Sequence, residues 1–180
     1  EDESHGGFYF TGDDHERLVY RPKPVADDAI PSGNGVAALA LLRLGHLLGD
    51  LHYLHAAERT LEAFSAVIGT YGMFAASYGL ALVVHSRRPL EVVITGRAGD
   101  LAAYELERAA HGVFRYAKAV LRVTPESVAA LPPALSETLG HLSGGQPQAL
   151  VCVQNTCHPP VTKAADLAAL LVSAGAAAAS

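Results

Sequence analysis

The sequence predicts a mostly helical protein that ends in a small α/β unit. Three long, largely apolar segments occupy residues 33–88, and three short β-branched runs follow after Pro89. Because the pattern of apolar residues changes at Pro89, we expect two parts, residues 1–88 and residues 89–180. A chain of 180 residues, of which 50% are hydrophobic, is long enough to bury a core.

The first part is expected to begin with a loop-rich lead-in, because residues 1–30 show no helical period and contain several turn formers. Helices are predicted over residues 36–48, 51–69 and 73–86. Ser32 or Asn34 can cap the first helix, and Asp50 the second. The first and third helices are apolar on nearly every side, which predicts burial all round. Such alternation of buried and amphipathic helices favours layered hairpins over a four-helix bundle.

The second part is predicted to be a β-α-β-(α)-β-α unit. Strands are expected over residues 90–95, 117–123 and 149–153, and helices over residues 101–111 and 163–173, with a partly helical stretch at 125–140. The turn at residues 96–100 lacks both the G-x-G-x-x-G spacing and the Lys-Ser/Thr of a P-loop. We therefore expect a turn capped by Asp100, and no nucleotide or other cofactor.

Composition argues against several classes of partner. The net charge of −5 is spread over both signs, whereas a nucleic-acid surface needs clustered Lys and Arg. The longest apolar run is interrupted by Arg43, His46 and Asp50, so no membrane span is expected. The first residues are acidic and do not resemble a signal peptide. The first residue is also not Met, which suggests a piece of a longer protein.

The two cysteines are too few for a disulfide framework, which favours a cytoplasmic location. Four residues separate them, unlike the C-x-x-C of thioredoxins, and no further zinc ligands are grouped nearby, so no metal is expected. We expect Cys152 to be a buried, inert thiol within a strand. Cys157 follows in a Pro-rich loop, where it is exposed enough to react.

Five stretches carry a family resemblance in their order along the chain: GGFYFTGDDHE, RPKPVADDAIPSGNGVAALALLRLG, YLHAAERTLEAF, EVVITG and VCVQNTCHPPVT. Together they resemble the C-terminal part of the thioredoxin-domain-containing proteins that include YyaL and the spermatogenesis-associated homologues. The resemblance implies that residues 1–88 form the last hairpins of an (α/α) toroid similar to N-acylglucosamine 2-epimerases and six-hairpin glycosidases. The N-terminal thioredoxin-like domain and the first part of the toroid are then missing from this sequence. Helix faces left uncovered by the missing part predict a homodimer.

The resemblance makes residues 6–38 a candidate rim of a sugar site. Acid–base chemistry on a sugar needs groups such as Asp14, His15 and Asp28, which we predict to be catalytic. The predicted substrate-binding residues are rings that can stack on a sugar and polar groups at a helix start: Phe8, Tyr9, Phe10, Ser32 and Asn34. The same residue types also occur in solvated turns and helix caps, so a purely structural role stays open.

Two functions follow as alternatives. The first is a carbohydrate-binding or carbohydrate-active protein, epimerase-like or glycosidase-like, whose C-terminal piece is inactive alone. The second is a non-catalytic scaffold that presents a fused thioredoxin-like domain to other proteins.

Overall fold

The computed structural model describes residues 1–16, 19–87, 89–132, 135–136, 139, 145–153 and 156–177. The chain divides into two compact units. Unit 1 comprises Glu1–His46 and Asp50–Ser86, and unit 2 comprises Leu47–Gly49 and Arg87–Ser180. The described residues form five α-helices and a four-stranded sheet, so the mixed α/β class is confirmed. Every described helix is too short or too polar to cross a lipid bilayer.

The helices of unit 1 follow a non-helical lead-in. They are α1 (Gly33–Leu48), α2 (Leu51–Ser65) and α3 (Ala76–Ser86), with short 3-10 turns at Ile68–Thr70 and Gly72–Ala75. The predicted cap of α2 is confirmed, because the Asp50 carboxylate accepts from the His52 amide at 2.8 Å. Helix α2 ends earlier than predicted and α3 begins later, since 3-10 turns and Gly72 at φ 54° occupy the stretch between them. Three helices are too few to close an (α/α) toroid, so the toroid stays a prediction.

The prediction that α1 and α3 are buried all round is wrong. Helix α1 buries Ala38 and Leu42, whereas Val36 is 47% exposed. Helix α3 likewise buries only one stripe, and the leucines and valine at positions 80, 82 and 83 are exposed. In the part of the chain that the structure describes, no element covers these outer faces. Helices α1 and α3 therefore carry more apolar side chains than unit 1 itself buries.

Unit 2 is built on a mixed sheet with the strand order β2-β1-β3-β4. The strands are β1 (Leu90–Thr95), β2 (Lys118–Val123), β3 (Gln148–Val153) and β4 (Thr156–Cys157). Strand β1 pairs in parallel with β2 and antiparallel with β3. Alternate residues of β1 point to opposite faces: Val92 and Ile94 pack with Leu106 in one cluster, and Val93 packs with Val123 in the other.

Helices α4 (Leu101–Gly112) and α5 (Ala164–Ala177) cover the sheet face of the larger cluster through residues such as Leu106 and Leu167. The bounds predicted for β1 are confirmed, and those of β2 and β3 differ by one residue. Helix α5 continues through Ala177, past the predicted end at residue 173. Within the predicted helical stretch at 125–140, Val128–Ala130 forms a 3-10 turn, and residues 133, 134, 137, 138 and 140 lie outside the described part.

The sequence did not predict strand β4, and the expectation of free thiols at Cys152 and Cys157 is wrong. Strand β4 pairs antiparallel with β3, so that Cys157 lies opposite Cys152 and the two form a disulfide. A two-residue strand is too short to produce an alternating pattern, and its Pro-rich surroundings indicated a loop. Without the strand, nothing in the sequence predicted the pairing.

Candidate functional site

Asn34, in the first turn of α1, holds the lead-in of unit 1. Its side chain is buried, at 2% exposed. The amide oxygen accepts a hydrogen bond from the Phe8 amide at 2.6 Å, and the amide nitrogen donates to the carbonyls of Phe8 at 3.0 Å and Pro24 at 2.8 Å. One side chain therefore ties together two segments of an irregular loop. Both of its amide hydrogens are used inside the protein, which competes with the predicted role in substrate binding.

Asp2 forms the second anchor and is 6% exposed. Its carboxylate accepts from the Lys23 ammonium at 2.6 Å, the Tyr9 hydroxyl at 2.7 Å and the Ser4 hydroxyl at 2.8 Å. The hydrogen bond from Lys23, helped by those from Tyr9 and Ser4, holds the pKa of Asp2 far below its ordinary value of 3.8. The ammonium of Lys23 also donates to the carbonyl of Gly6 at 2.8 Å. A buried ion pair with these additional hydrogen bonds fixes the start of the lead-in.

Tyr9 was predicted to stack on a sugar, and the structure gives it other partners. Its hydroxyl donates to Asp2, and this hydrogen bond raises the pKa of the Tyr9 phenol. The guanidinium of Arg21 lies 4.1 Å from the centre of the Tyr9 ring, a cation–π distance. Half-buried Tyr9 thus has its hydroxyl and its ring engaged within the protein.

Gly6 and Gly7 let the lead-in approach α2 closely. Both have positive φ, 71° and 78°, which residues with a Cβ rarely adopt. A Cβ on Gly6 would lie 2.2 Å from the backbone oxygen of Arg59 on α2. The Gly-Gly pair was part of the family resemblance, and here it has a local steric reason.

Asp27 forms the third anchor, between the lead-in and α3. Its carboxylate accepts from the amides of Ser32 at 2.8 Å and Ser77 at 2.7 Å, and from the Ser77 hydroxyl. Desolvation opposes ionisation of Asp27, but the hydrogen bonds from Ser77 and Ser32 outweigh it and lower its pKa. The Ser32 hydroxyl caps α1 by accepting from the Gly35 amide at 3.0 Å, as predicted. The neighbouring Asp28, which the sequence analysis predicts to be catalytic, is exposed.

These anchors support a surface loop, residues 10–22, which we call the anchored loop. Its ends are joined by a hydrogen bond of 2.8 Å from the Phe10 amide to the Pro22 carbonyl. Arg21 also holds the two ends of the loop together, because its guanidinium donates to the Thr11 carbonyl at 2.7 Å and forms an ion pair with Asp13 at 2.7 Å. Residues 17 and 18 lie outside the described part. Joined ends are typical of Ω-loops, which are frequently functional.

The anchored loop exposes three of the predicted site residues: Phe10 (76% exposed), Asp14 and His15. Among the described residues, the side chains of Asp14, His15 and Asp28 have no hydrogen-bond or ion-pair partner. The sequence neighbours Asp14 and His15 lie together on the loop, whereas Ser32 and Asn34 lie buried in the anchors. The predicted site residues thus fall into two groups. Asp14, His15 and Phe10 are exposed on the loop, whereas the two residues in the anchors are buried and support it.

A concave surface that the sequence did not predict lies between α2 and α3. This cleft has a volume of about 420 Å³ and is lined by Glu58, Leu61, Glu62, Ser65, Tyr78, Leu82 and His85. Tyr78 lies buried beneath it and donates to the Leu61 carbonyl at 2.5 Å, and burial raises its pKa. The signal available in the sequence was the spacing of Glu58 and Glu62, one helical turn apart on α2.

The described part of the chain contains no group of three or more His, Cys, Asp or Glu side chains arranged to hold a metal ion. Comparisons of the chain with models of protein families, with curated proteins and with solved structures returned no match. The chemistry of the anchored loop and the cleft is therefore argued from their own side chains.

Proposed function

We propose that this chain is the C-terminal portion of a thioredoxin-fused toroid protein that binds or acts on a carbohydrate, with the anchored loop contributing to the sugar site. One observation carries the proposal. Asp14, His15 and Phe10 are exposed on a loop whose two ends are joined by a backbone hydrogen bond and by hydrogen bonds from Arg21. Loops positioned by a rigid scaffold are where binding and catalytic residues concentrate.

The exposed residues suit sugar chemistry. A carboxylate accepts hydrogen bonds from sugar hydroxyls, and an aromatic ring offers an apolar surface to the C–H face of a pyranose. Epimerisation and glycoside hydrolysis both need a general acid and a general base, roles open to Asp14, His15 and Asp28. In this proposal Asn34 and Ser32 are positioning residues, because their polar atoms hold the loop and the start of α1.

A panel of mono- and disaccharides, screened by ligand-observed NMR against the protein with its missing domains and against this chain, tests the proposal. We expect at least one sugar to bind, with affinity reduced tenfold or more by Asp14→Asn or His15→Gln. Glu105→Gln, an exposed acid on α4, is the matched control and should leave binding unchanged. Absence of any binding by folded protein, or binding that both loop variants leave intact, would overturn the assignment.

The cleft provides an internal comparison for the same screen. Glu58→Gln and Glu62→Gln remove its two carboxylates without touching the anchored loop. If sugar binding falls only in these two variants, the carbohydrate function stands and its placement on the anchored loop is wrong.

The scaffold function is the second candidate, and a different observation favours it. Unit 1 exposes large apolar side chains at Met73 and Phe74, and on α3 at Val83. Exposed apolar side chains of this kind are typical of surfaces that associate with another protein. Light scattering at micromolar concentration tests this association. A wild-type dimer that the substitution Phe74→Asp converts to a monomer would support it. A monodisperse wild-type monomer would contradict the expected homodimer.

A further inference from the structure

The disulfide between Cys152 and Cys157 lies at the edge of the sheet in unit 2. Strand β4 is the last strand in the sheet order, and its two residues pair with Cys152 and Val153 of β3. We propose that this disulfide is a reversible redox site that exchanges with external thiols rather than a fixed structural cross-link. The inference does not depend on the carbohydrate function.

Backbone hydrogen bonds hold the segment after β4 against β3 without help from the disulfide. The amide of His158 donates to the Val151 carbonyl at 2.9 Å. Further along, Ala149 and Val161 exchange two hydrogen bonds, at 2.8 and 2.9 Å. Because these contacts lie on the same edge of β3, opening the disulfide leaves the strand covered. The oxidised and reduced forms can therefore share one fold.

The size of the closed loop leads to the same conclusion. The two cysteines are five residues apart in sequence. A cross-link that closes so short a loop removes little chain entropy from the unfolded state, so it stabilises less than one that joins distant segments. The main cluster of unit 2 consists of apolar residues of β1, β3, α4 and α5, and it contains neither cysteine.

The two sulfurs differ in access. Cys152 is 5% exposed within β3, whereas Cys157 is exposed on β4. An incoming thiolate therefore attacks Sγ of Cys157, the S–S bond breaks, and the electron pair goes to Sγ of Cys152, which takes up a proton. A second thiolate then attacks the sulfur of the external half of the mixed disulfide and releases the Cys157 thiolate. The sum is protein disulfide plus two thiols giving protein dithiol plus one external disulfide.

Reduction of the native protein by millimolar reduced glutathione tests reversibility. The two thiols are counted by alkylation and mass spectrometry, and folding is followed by circular dichroism. We expect both cysteines to become alkylated while the circular dichroism spectrum is kept, and oxidised glutathione to restore the disulfide. Structural disulfides resist the glutathione pool. A bond that opens only in denaturant, or whose opening unfolds the protein, would contradict the proposal.

The order of attack is tested with single-cysteine variants, which are unambiguous because the chain has 2 cysteines. In Cys152→Ser, Cys157 should form a mixed disulfide with oxidised glutathione at least tenfold faster than Cys152 does in Cys157→Ser. Cys152→Ala replaces Cys152→Ser if a buried hydroxyl prevents folding. Equal rates, or a faster reaction at Cys152, would rule out Cys157 as the exchanging sulfur.

Discussion

The two units bury different kinds of side chain. In the described part of the chain, the four buried polar or charged residues are Asp2, Ser32, Asn34 and Thr60, and all belong to unit 1. The buried residues described in unit 2 are apolar, apart from disulfide-bonded Cys152. Hydrophobic burial is non-directional, whereas hydrogen bonds specify geometry. Unit 2 is therefore organised by packing, and the irregular lead-in of unit 1 by directional polar contacts.

This difference explains how unit 1 presents an exposed loop within an irregular lead-in. Asp2, Asn34 and Asp27 each bind two or more groups of the lead-in or the helices that follow it. The residues between these anchors are then free to be polar and exposed.

The largest expected effect is in the packed unit. Leu106→Ala, at a fully buried position facing β1, should lower the free energy of unfolding by about 3 kcal/mol, because it leaves a cavity in the main cluster. Urea denaturation followed by circular dichroism measures the change. Leu101→Ala, at an exposed position of the same helix, is the control and should change it by less than about 0.5 kcal/mol.

Asn34→Ala should come next, with a loss of about 2–3 kcal/mol, because three backbone groups of Phe8 and Pro24 lose their partner. The same urea titration applies, with Val36→Ala on the exposed side of α1 as the control. Equal stability of the two variants would mean that polar anchoring does not hold unit 1.

Acid should destabilise unit 1 through its anchors. The pKa values of Asp2 and Asp27 lie below the ordinary value of 3.8, so their ionised forms favour folding. Their stabilisation is fully present above about pH 4 and is lost as the pH falls through the lowered values. The urea midpoint should therefore fall from pH 7 to pH 3, and fall less in Asp2→Asn and Asp27→Asn.

The smallest expected effects compare two helix caps. Ser32→Ala removes a buried cap that also lies 3.1 Å from the Ser77 hydroxyl, and Asp100→Ala removes the more exposed cap of α4. Each should cost about 1 kcal/mol, with the larger loss at Ser32. Thermal unfolding resolves the difference. A larger loss at Asp100 would contradict the claim that unit 1 depends more on its polar residues.

Local signals predicted much of the fold. The β-branched run of β1 and the caps at Asp50 and Asp100 involve residues close together in sequence, where propensity and spacing act directly. Local signals could not predict that Asn34 holds the lead-in, because its hydrogen-bond partner Phe8 lies 26 residues away. The sequence did not distinguish Asp27 from Asp28 either, because Ser77, which donates to Asp27, lies 50 residues further on.

Hydrogen–deuterium exchange, measured for single amides, tests most directly whether the lead-in is held in place. The Phe8 amide donates to Asn34 and the Phe10 amide to the Pro22 carbonyl. We expect both to exchange at least 100-fold more slowly than in an unstructured chain, about 2.7 kcal/mol of protection, and Asn34→Ala to abolish this at Phe8. Exchange of both amides at unstructured rates in the wild-type protein would show that no anchored loop exists to carry the site.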